Sequence, residues 1–279
     1  MMSITKPAFT VKEVFLSCIS TVANDSLKNN LTDCIDVLEL AEADFEEKFA
    51  TNEIYQIPQS DEIKHPIGKR QMVTLYDYRM VHVNMPGRSY YNKIRALAPF
   101  GKCPLCGVRR VDTLDHYLPK ALFPVFAVTP ITLVPACTPC NKGKLVDFPT
   151  NSAEQTLHPY FDDISKSNWL QAKVIPSNPI TLDYQVVAPD GWDDILIERT
   201  INHFISFNLN DLYCSHANEE LRGARRQMIN RYRESPAELV SFLDEAYDSK
   251  LELGLNSWQA VMYKALLNDE WFCSGGVLE

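Results

Sequence analysis

Two pairs of closely spaced cysteines constrain the fold of this chain more than any other feature. Cys103 and Cys106 form one C-x2-C pair, Cys137 and Cys140 form the other, and thirty residues lie between the pairs. Two such pairs can supply four thiolate ligands to a tetrahedral zinc ion. Four protein ligands leave no open coordination position, so the predicted zinc is structural. The sequence therefore predicts a small metal-stabilised module within residues 101–150.

The remaining four cysteines show no such pairing. Eight cysteines in 279 residues are too few for a disulfide scaffold, and the N-terminal residues lack the basic-then-apolar layout of a signal peptide. Single free cysteines are usually small buried hydrophobes, so we expect structural roles for Cys18, Cys34, Cys214 and Cys273. No stretch approaches the roughly 20 apolar residues that span a bilayer. These features predict a cytoplasmic protein that does not enter a membrane.

The chain around the cysteine segment is mainly helical by its apolar spacing. We predict helices over 8–50, with Asn30 or Thr32 as a cap, and a linker or loop over 51–68. Further along the chain we predict a helix over 87–98, strands in VDTLDH and ITLVPA, a helix starting around Pro139–Asn141, a hairpin in 171–188, mixed structure in 195–207, and helices over 211–268 that start at Ser235–Pro236 and Asn256–Ser257. The predicted class is α+β.

Charge is distributed unevenly along the chain. The net charge is -9, yet residues 69–144 contain twelve basic and three acidic residues, a local charge of +9. The rest of the chain therefore carries -18. A basic island within an acidic protein suits a polyanionic partner, because phosphate contacts supply most of the affinity for nucleic acid. A solvated basic surface with no partner gives the same pattern, so charge alone does not decide.

The residues between the cysteine pairs resemble those of the HNH endonuclease family. Asp115–His116 ends an alternating run, and Cys140 is followed by Asn141 and then by Lys144 in a C-N-x-x-K pattern. GRSYYNKI, DHYLPK, FPVFAV and HPYFDD extend the likeness to a bacterial HNH subfamily over about residues 87–163. The resemblance implies a central ββα-metal module with a four-cysteine zinc site. We divide the chain into a helical region (1–86), this nuclease module (87–165), and a mixed hairpin and helical region (166–279).

The resemblance also implies a role for each site residue. His116 is the expected general base that deprotonates water, since imidazole titrates near neutral pH. Asp115 and Asn141 are the expected ligands of one catalytic Mg²⁺ or Mn²⁺, through hard oxygen atoms. Lys120 and Lys144 are the expected phosphate contacts. The implied activity is metal-dependent hydrolysis of phosphodiester bonds in DNA.

One residue departs from the family pattern, and other motifs have ordinary structural readings. Thr132 stands where the family usually has an asparagine that helps to orient the base histidine, partly through its backbone carbonyl. His158 is expected to pack the module rather than to bind metal or phosphate. Tyr90 and Tyr91 are expected in a core. The arginines of 222–233 are expected on a solvated helix face, with a second phosphate-binding stripe as the alternative.

Two other functions compete with that of an independent endonuclease. A zinc-knuckle DNA-binding subunit would keep the cysteines and the basic island without turnover, but the joint presence of Asp115, His116 and Asn141 argues against it. A restriction-type or anti-phage effector would need a protein partner such as an ATPase, and the acidic flanks would then restrain nonspecific DNA binding. The sequence identifies neither the partner nor the DNA that is cut.

Overall fold

The computed structural model describes residues 1–143 and 148–279, and the chain forms two compact units, Met1–Asp162 and Asp163–Glu279. The helices of the first unit are α1 (Val11–Ile19), α2 (Asp25–Thr32), α3 (Ile35–Ala50), α4 (Lys69–Thr74), the π-helical segment Leu75–Met80, α5 (Arg88–Arg95) and α6 (Thr138–Gly143). Its strands are β1 (Glu62–Lys64), β2 (Ile67–Gly68), β3 (Thr113–His116) and β4 (Leu133–Ala136). The second unit has strands β5 (Leu170–Ile175) and β6 (Thr181–Val186), and helices α7 (Asp194–Ser206), α8 (Leu209–Glu234), α9 (Pro236–Leu251), α10 (Trp258–Leu267) and α11 (Glu270–Cys273).

The N-terminal helices occur as predicted, but their caps differ. The side chain of Asn24 accepts a hydrogen bond from the backbone of Leu27 and caps α2, and α3 begins after Cys34. Asn30 and Thr32 therefore lie inside α2, and the prediction that one of them is a cap is wrong. The apolar period runs on through the turn between α2 and α3, which hides the break between them.

The predicted strands of the cysteine segment are confirmed over the last four residues of each predicted run. β3 and β4 pair antiparallel, from Thr113 opposite Ala136 to His116 opposite Leu133, and α6 follows β4 directly. Leu114 and Leu133 belong to the same buried cluster as the apolar face of α1. The N-terminal helices and the cysteine segment thus share one core, and the finer division at residue 86 stays a prediction.

The second unit is built on a regular hairpin and long helices. β5 and β6 pair antiparallel in continuous register from Leu170 opposite Val186 to Ile175 opposite Thr181, with α8 against β6 and α10 against β5. The predicted helix starts are confirmed, since the side chain of Ser235 caps α9 and that of Ser257 caps α10.

Residues 195–206 are helical, so the prediction of mixed structure over 195–207 is wrong. The side chain of Asp193 accepts a hydrogen bond from the backbone of Leu196 and starts α7, a cap that the charge pattern of the segment concealed.

Across the described parts of both units, no helix has the length and apolar character needed to cross a bilayer. The chain is therefore α+β, mainly helical, with small antiparallel sheets.

Candidate metal centre and active site

The first cysteine pair lies on a tight hairpin that the backbone holds closed. The amide of Cys103 donates to the carbonyl of Arg109, and the amide of Gly107 donates back to the carbonyl of Cys103, each at 2.7 Å. Gly107 has a φ of 71°, a left-handed conformation that favours glycine at this turn. The second pair brackets the start of α6, where the amide of Asn141 donates to the carbonyl of Cys137 at 3.0 Å.

These two turns bring the four predicted zinc ligands together. The sulfur atoms of Cys103, Cys106, Cys137 and Cys140 all lie within 4.8 Å of one another, and all four residues are buried. In a zinc tetrahedron with bonds of ~2.3 Å the sulfur atoms are about 3.8 Å apart, so small side-chain adjustments would fit the ion. The donor set is the one that zinc takes in structural sites.

Four buried thiol groups in contact with one another are difficult to deprotonate together without a cation. A hydrogen bond with Cys103 lowers the pKa of Cys106, whereas hydrogen bonds with Cys103 and Cys106 raise the pKa of Cys140. Four thiols this close share protons among themselves, because four buried thiolates would repel one another. A bound divalent ion deprotonates its coordinating thiols outright, which resolves the repulsion. The four cysteines are positioned to bind a metal ion.

One face of β3 carries the predicted site residue Asp115 and, two positions earlier, Thr113, which contacts α6. Thr113 and Asp115 are two positions apart on the strand and so point to the same face. The amide nitrogen of Asn141 on α6 donates to the hydroxyl of Thr113 at 3.4 Å. Asp115 is buried, with 5% of its surface exposed. Helix α6, which begins directly after Cys137, therefore places Asn141 on the same face of β3 as Asp115.

His116 occupies the end of β3 and points to the opposite face. Its Nε2 atom lies 2.9 Å from the backbone carbonyl of Ala127. A carbonyl can only accept, so Nε2 carries the proton and Nδ1 is the nitrogen left to take one in the neutral imidazole. The ring of Tyr76, from the π-helical segment, meets the imidazole edge to face, with 4.4 Å between ring centroids.

Thr132 is fully buried and makes hydrogen bonds of its own. Its hydroxyl donates to the carbonyl of Thr129 at 2.9 Å, and its carbonyl accepts from the amide of Tyr117 at 2.8 Å. The carbonyl on Nε2 of His116 comes from Ala127. A backbone acceptor for the imidazole is thus present although the usual asparagine is not.

The structure describes Lys120, one of the two predicted phosphate contacts. Lys120 forms an ion pair with Asp77, and its ammonium lies 4.3 Å from the centroid of the Tyr76 ring. Lys144 lies outside the described residues, so its role stays a prediction. Tyr76 and Asp77 were missed by the sequence reasoning, because nothing in LYDYRM marks these residues as neighbours of a segment forty positions later.

Part of the basic island is engaged within the protein. Arg79 donates to the carbonyl of Thr21 at 3.0 Å, and Arg88 packs over the ring of Tyr91. Other bases of the island are exposed, and these are Arg70, Lys93, Arg110 and Lys142. The exposed members are the ones available to phosphate.

The remaining candidates have the surroundings of structural residues. His158 is fully buried among aromatic rings, including those of Phe49 and Tyr117, and its Nδ1 atom accepts a hydrogen bond from the amide of Tyr160. Tyr91 is buried in the main core, and Tyr90 packs against that core. The arginines of 222–233 are exposed or half-exposed along α8.

The chain is similar to one curated protein over its full length. It is 27% identical to "Protein ea31" of Escherichia phage lambda over 301 aligned positions, which cover 99% of this chain and 100% of that protein. No protein-family model and no solved structure matches the chain. The relative's name states no activity, so function rests on the site itself.

Proposed function

We propose that this chain is a divalent-metal-dependent endonuclease of the HNH type that acts on DNA. The contact between Asn141 and Thr113 carries the proposal, because it joins α6 to the face of β3 that holds Asp115. The succession of β3, β4 and α6 agrees with the strand, strand and helix order that the HNH resemblance implies. The four-cysteine cluster adjoins the end of the hairpin where β3 begins and β4 ends.

Asp115 and Asn141 would hold the catalytic cation. Thr113 and Asp115 are separated by about 7 Å of strand, a gap that two side chains converging on one ion can close. Asn141 donates to Thr113 through its amide nitrogen, so its oxygen, the atom that binds a hard cation, takes no part in this contact. A bound Mg²⁺ or Mn²⁺ would supply Lewis acidity at the scissile phosphate and ease departure of the 3′ oxygen.

His116 would accept the proton of the attacking water. The Ala127 carbonyl fixes the proton on Nε2 and so directs Nδ1 to the role of base. Water would attack phosphorus as its proton passes to Nδ1, and the bond to the 3′ oxygen would break as that oxygen takes a proton from solvent. His116 and Asp115 point to opposite faces of β3, so the base and the cation ligand approach the phosphate from different sides.

DNA would lie along the basic island, held by Lys120, Lys144 and the exposed bases. The alternative function is a zinc-knuckle DNA-binding subunit that is catalytically weak or needs a partner ATPase, as in a defence or restriction system. One observation favours that alternative: Lys120 is already paired with Asp77, so phosphate must compete with an internal carboxylate. The two functions differ in whether the purified chain cuts DNA alone.

A plasmid-cleavage assay tests the proposal. We expect the purified full chain to nick or linearise supercoiled plasmid with Mg²⁺ or Mn²⁺ and to be inactive without either. His116→Ala should lower the rate on the order of 100- to 10,000-fold while keeping DNA binding, because only the general base is removed.

The matched control is His82→Ala, which removes an exposed histidine from the same basic island. This variant should cut at the wild-type rate. Equal cleavage by His116→Ala and wild type would remove His116 from the role of base. DNA binding by the wild-type chain with no cleavage under either metal would favour the binding subunit instead.

A further inference from the structure

The π-helical segment Leu75–Met80 reaches the histidine end of β3. Its wide turn is closed by the amide of Val81, which donates to the carbonyl of Tyr76 at 3.0 Å. Such turns are rare and frequently occur at functional sites. The turn presents Tyr76 to the imidazole of His116, with ring centroids 4.4 Å apart and an interplanar angle of 68°.

The same ring also contacts the lysine beside the histidine. The ammonium of Lys120 lies 4.3 Å from the centroid of the Tyr76 ring, within the range of a cation–π contact. Tyr76 therefore touches both the proposed base and a proposed phosphate contact. Tyr76 is buried, with 6% of the residue's surface exposed, so the position of its ring is set by the core around it.

The ring of Tyr76 adds a constraint of its own on the imidazole. The Ala127 carbonyl selects which nitrogen carries the proton, and a hydrogen bond at one ring atom does not by itself stop a ring from pivoting about that contact. A rigid ring packed against the imidazole at 68° blocks the pivot. The Ala127 carbonyl and the Tyr76 ring, which come from different parts of the chain, thus both constrain the direction of Nδ1.

We propose that Tyr76 is a positioning residue that aims His116 and Lys120 at the same phosphate; this inference rests on the proposed nuclease function. The aromatic ring carries the role, because both contacts are made by its ring and neither by its hydroxyl. Tyr76→Phe should therefore behave as wild type. Tyr76→Leu keeps an apolar side chain in the core but removes the ring.

The first measurement follows the geometry and does not depend on cleavage. In protein labelled on its six histidines, the ring signals of His116 can be assigned by their absence from His116→Gln. Tyr76→Leu should shift these signals, because the ring current of Tyr76 is lost, and Tyr76→Phe should leave them in place. Signals that stay in place in Tyr76→Leu would overturn the inference.

The second measurement separates positioning from folding. At saturating DNA, Tyr76→Leu should cut on the order of 10- to 100-fold more slowly than wild type, as small misplacements of a catalytic group do. The control is Tyr91→Leu, which removes a ring of similar burial from the same core and should lower the melting temperature without slowing cleavage to this extent.

The possible outcomes distinguish a failure of the positioning role of Tyr76 from a failure of the proposed nuclease function. A shifted His116 signal with a wild-type cleavage rate in Tyr76→Leu would overturn positioning and leave the nuclease proposal standing. A slow Tyr76→Phe would assign the role to the hydroxyl and also overturn the inference. If wild type does not cut at all while its His116 signal responds to Tyr76→Leu, the nuclease function fails, and the inference that rests on it fails for that reason.

Discussion

The two longer antiparallel hairpins of this protein are stabilised in different ways. In the second unit, β5 and β6 pair over six consecutive positions, bury apolar side chains such as Leu182 and Tyr184, and expose polar ones such as Lys173 and Asp183. In the first unit, β3 and β4 pair over four positions, and every residue of β4 is buried. The first hairpin also buries the carboxyl group of Asp115.

The difference shows where each hairpin obtains its stability. β5–β6 follows the alternation that lets a sheet pack on helices and needs no other support. β3–β4 is too short to rely on its own ladder, and it carries a buried acid. Its strands are bracketed by the four-cysteine cluster at one end and by the Tyr76 and Ala127 contacts at the other. External support of this kind allows a short strand pair to carry a buried acidic side chain.

Removal of one zinc ligand should produce the largest difference in stability between the two hairpins. Cys103→Ser should abolish zinc binding and unfold the first unit, because structural zinc contributes roughly 10–16 kcal/mol in small zinc modules, as much as a whole domain's stability. Zinc content and hydrogen exchange measure the effect, and β5–β6 should stay protected. Cys273→Ser, at a half-exposed cysteine of the second unit, is the control. Stoichiometric zinc in a well-folded Cys103→Ser protein would refute this account.

A smaller effect is expected from a single hydroxyl in each hairpin. Thr113 on β3 accepts a hydrogen bond from Asn141, and Thr181 on β6 donates one to Asn218 at 2.9 Å. Thr113→Val should release Asn141 and lower cleavage at limiting Mg²⁺ by about 10- to 100-fold, the usual cost of losing support for a metal ligand. High Mg²⁺ should restore most of the rate.

Thr181→Val is matched to this variant in residue type and in its asparagine partner. It should leave the Mg²⁺ dependence unchanged, because β6 carries no proposed metal ligand. If both variants shift the Mg²⁺ dependence equally, or if neither does, the contact between Asn141 and Thr113 has no special part in metal binding.

Local signals explain which parts of the structure were predictable. Cysteine spacing predicted the cluster, alternation predicted β3 and β4, and serine caps predicted the starts of α9 and α10. The strand and cap predictions depend on residues that are close together in the chain. The cluster prediction depends on a set of ligands that is typical of a metal site. The cap at Asp193 is equally local, but it was obscured by neighbouring acidic residues.

The second half of the candidate site had no local signal. Asp77 and Lys120 are 43 residues apart, and the core packing that joins them leaves no spacing pattern. The acceptor on His116 is a backbone carbonyl, and Ala127 gives no hint of it in its side chain. Contacts that depend on the tertiary position of a π-helical turn or of a backbone atom cannot be recognised from one sequence.

The smallest expected effect concerns the acid that pairs with Lys120. Asp77→Asn should free Lys120 for phosphate and raise DNA affinity by up to about fivefold, since half-exposed ion pairs are worth at most about 1 kcal/mol. The slope of log affinity against log salt should steepen by up to about one unit. In a Lys120→Gln background the gain should disappear, because the freed lysine is its cause. Two controls are available. Asp183→Asn removes an equal charge from β6, and Asp61→Asn removes the ion-pair partner of Lys69, which is one of the bases of the basic island. If Asp183→Asn raises affinity as much as Asp77→Asn does, net charge accounts for the gain and Lys120 is not a phosphate contact. An equal gain from Asp61→Asn alone would instead show that Lys69 also contacts phosphate once it is freed.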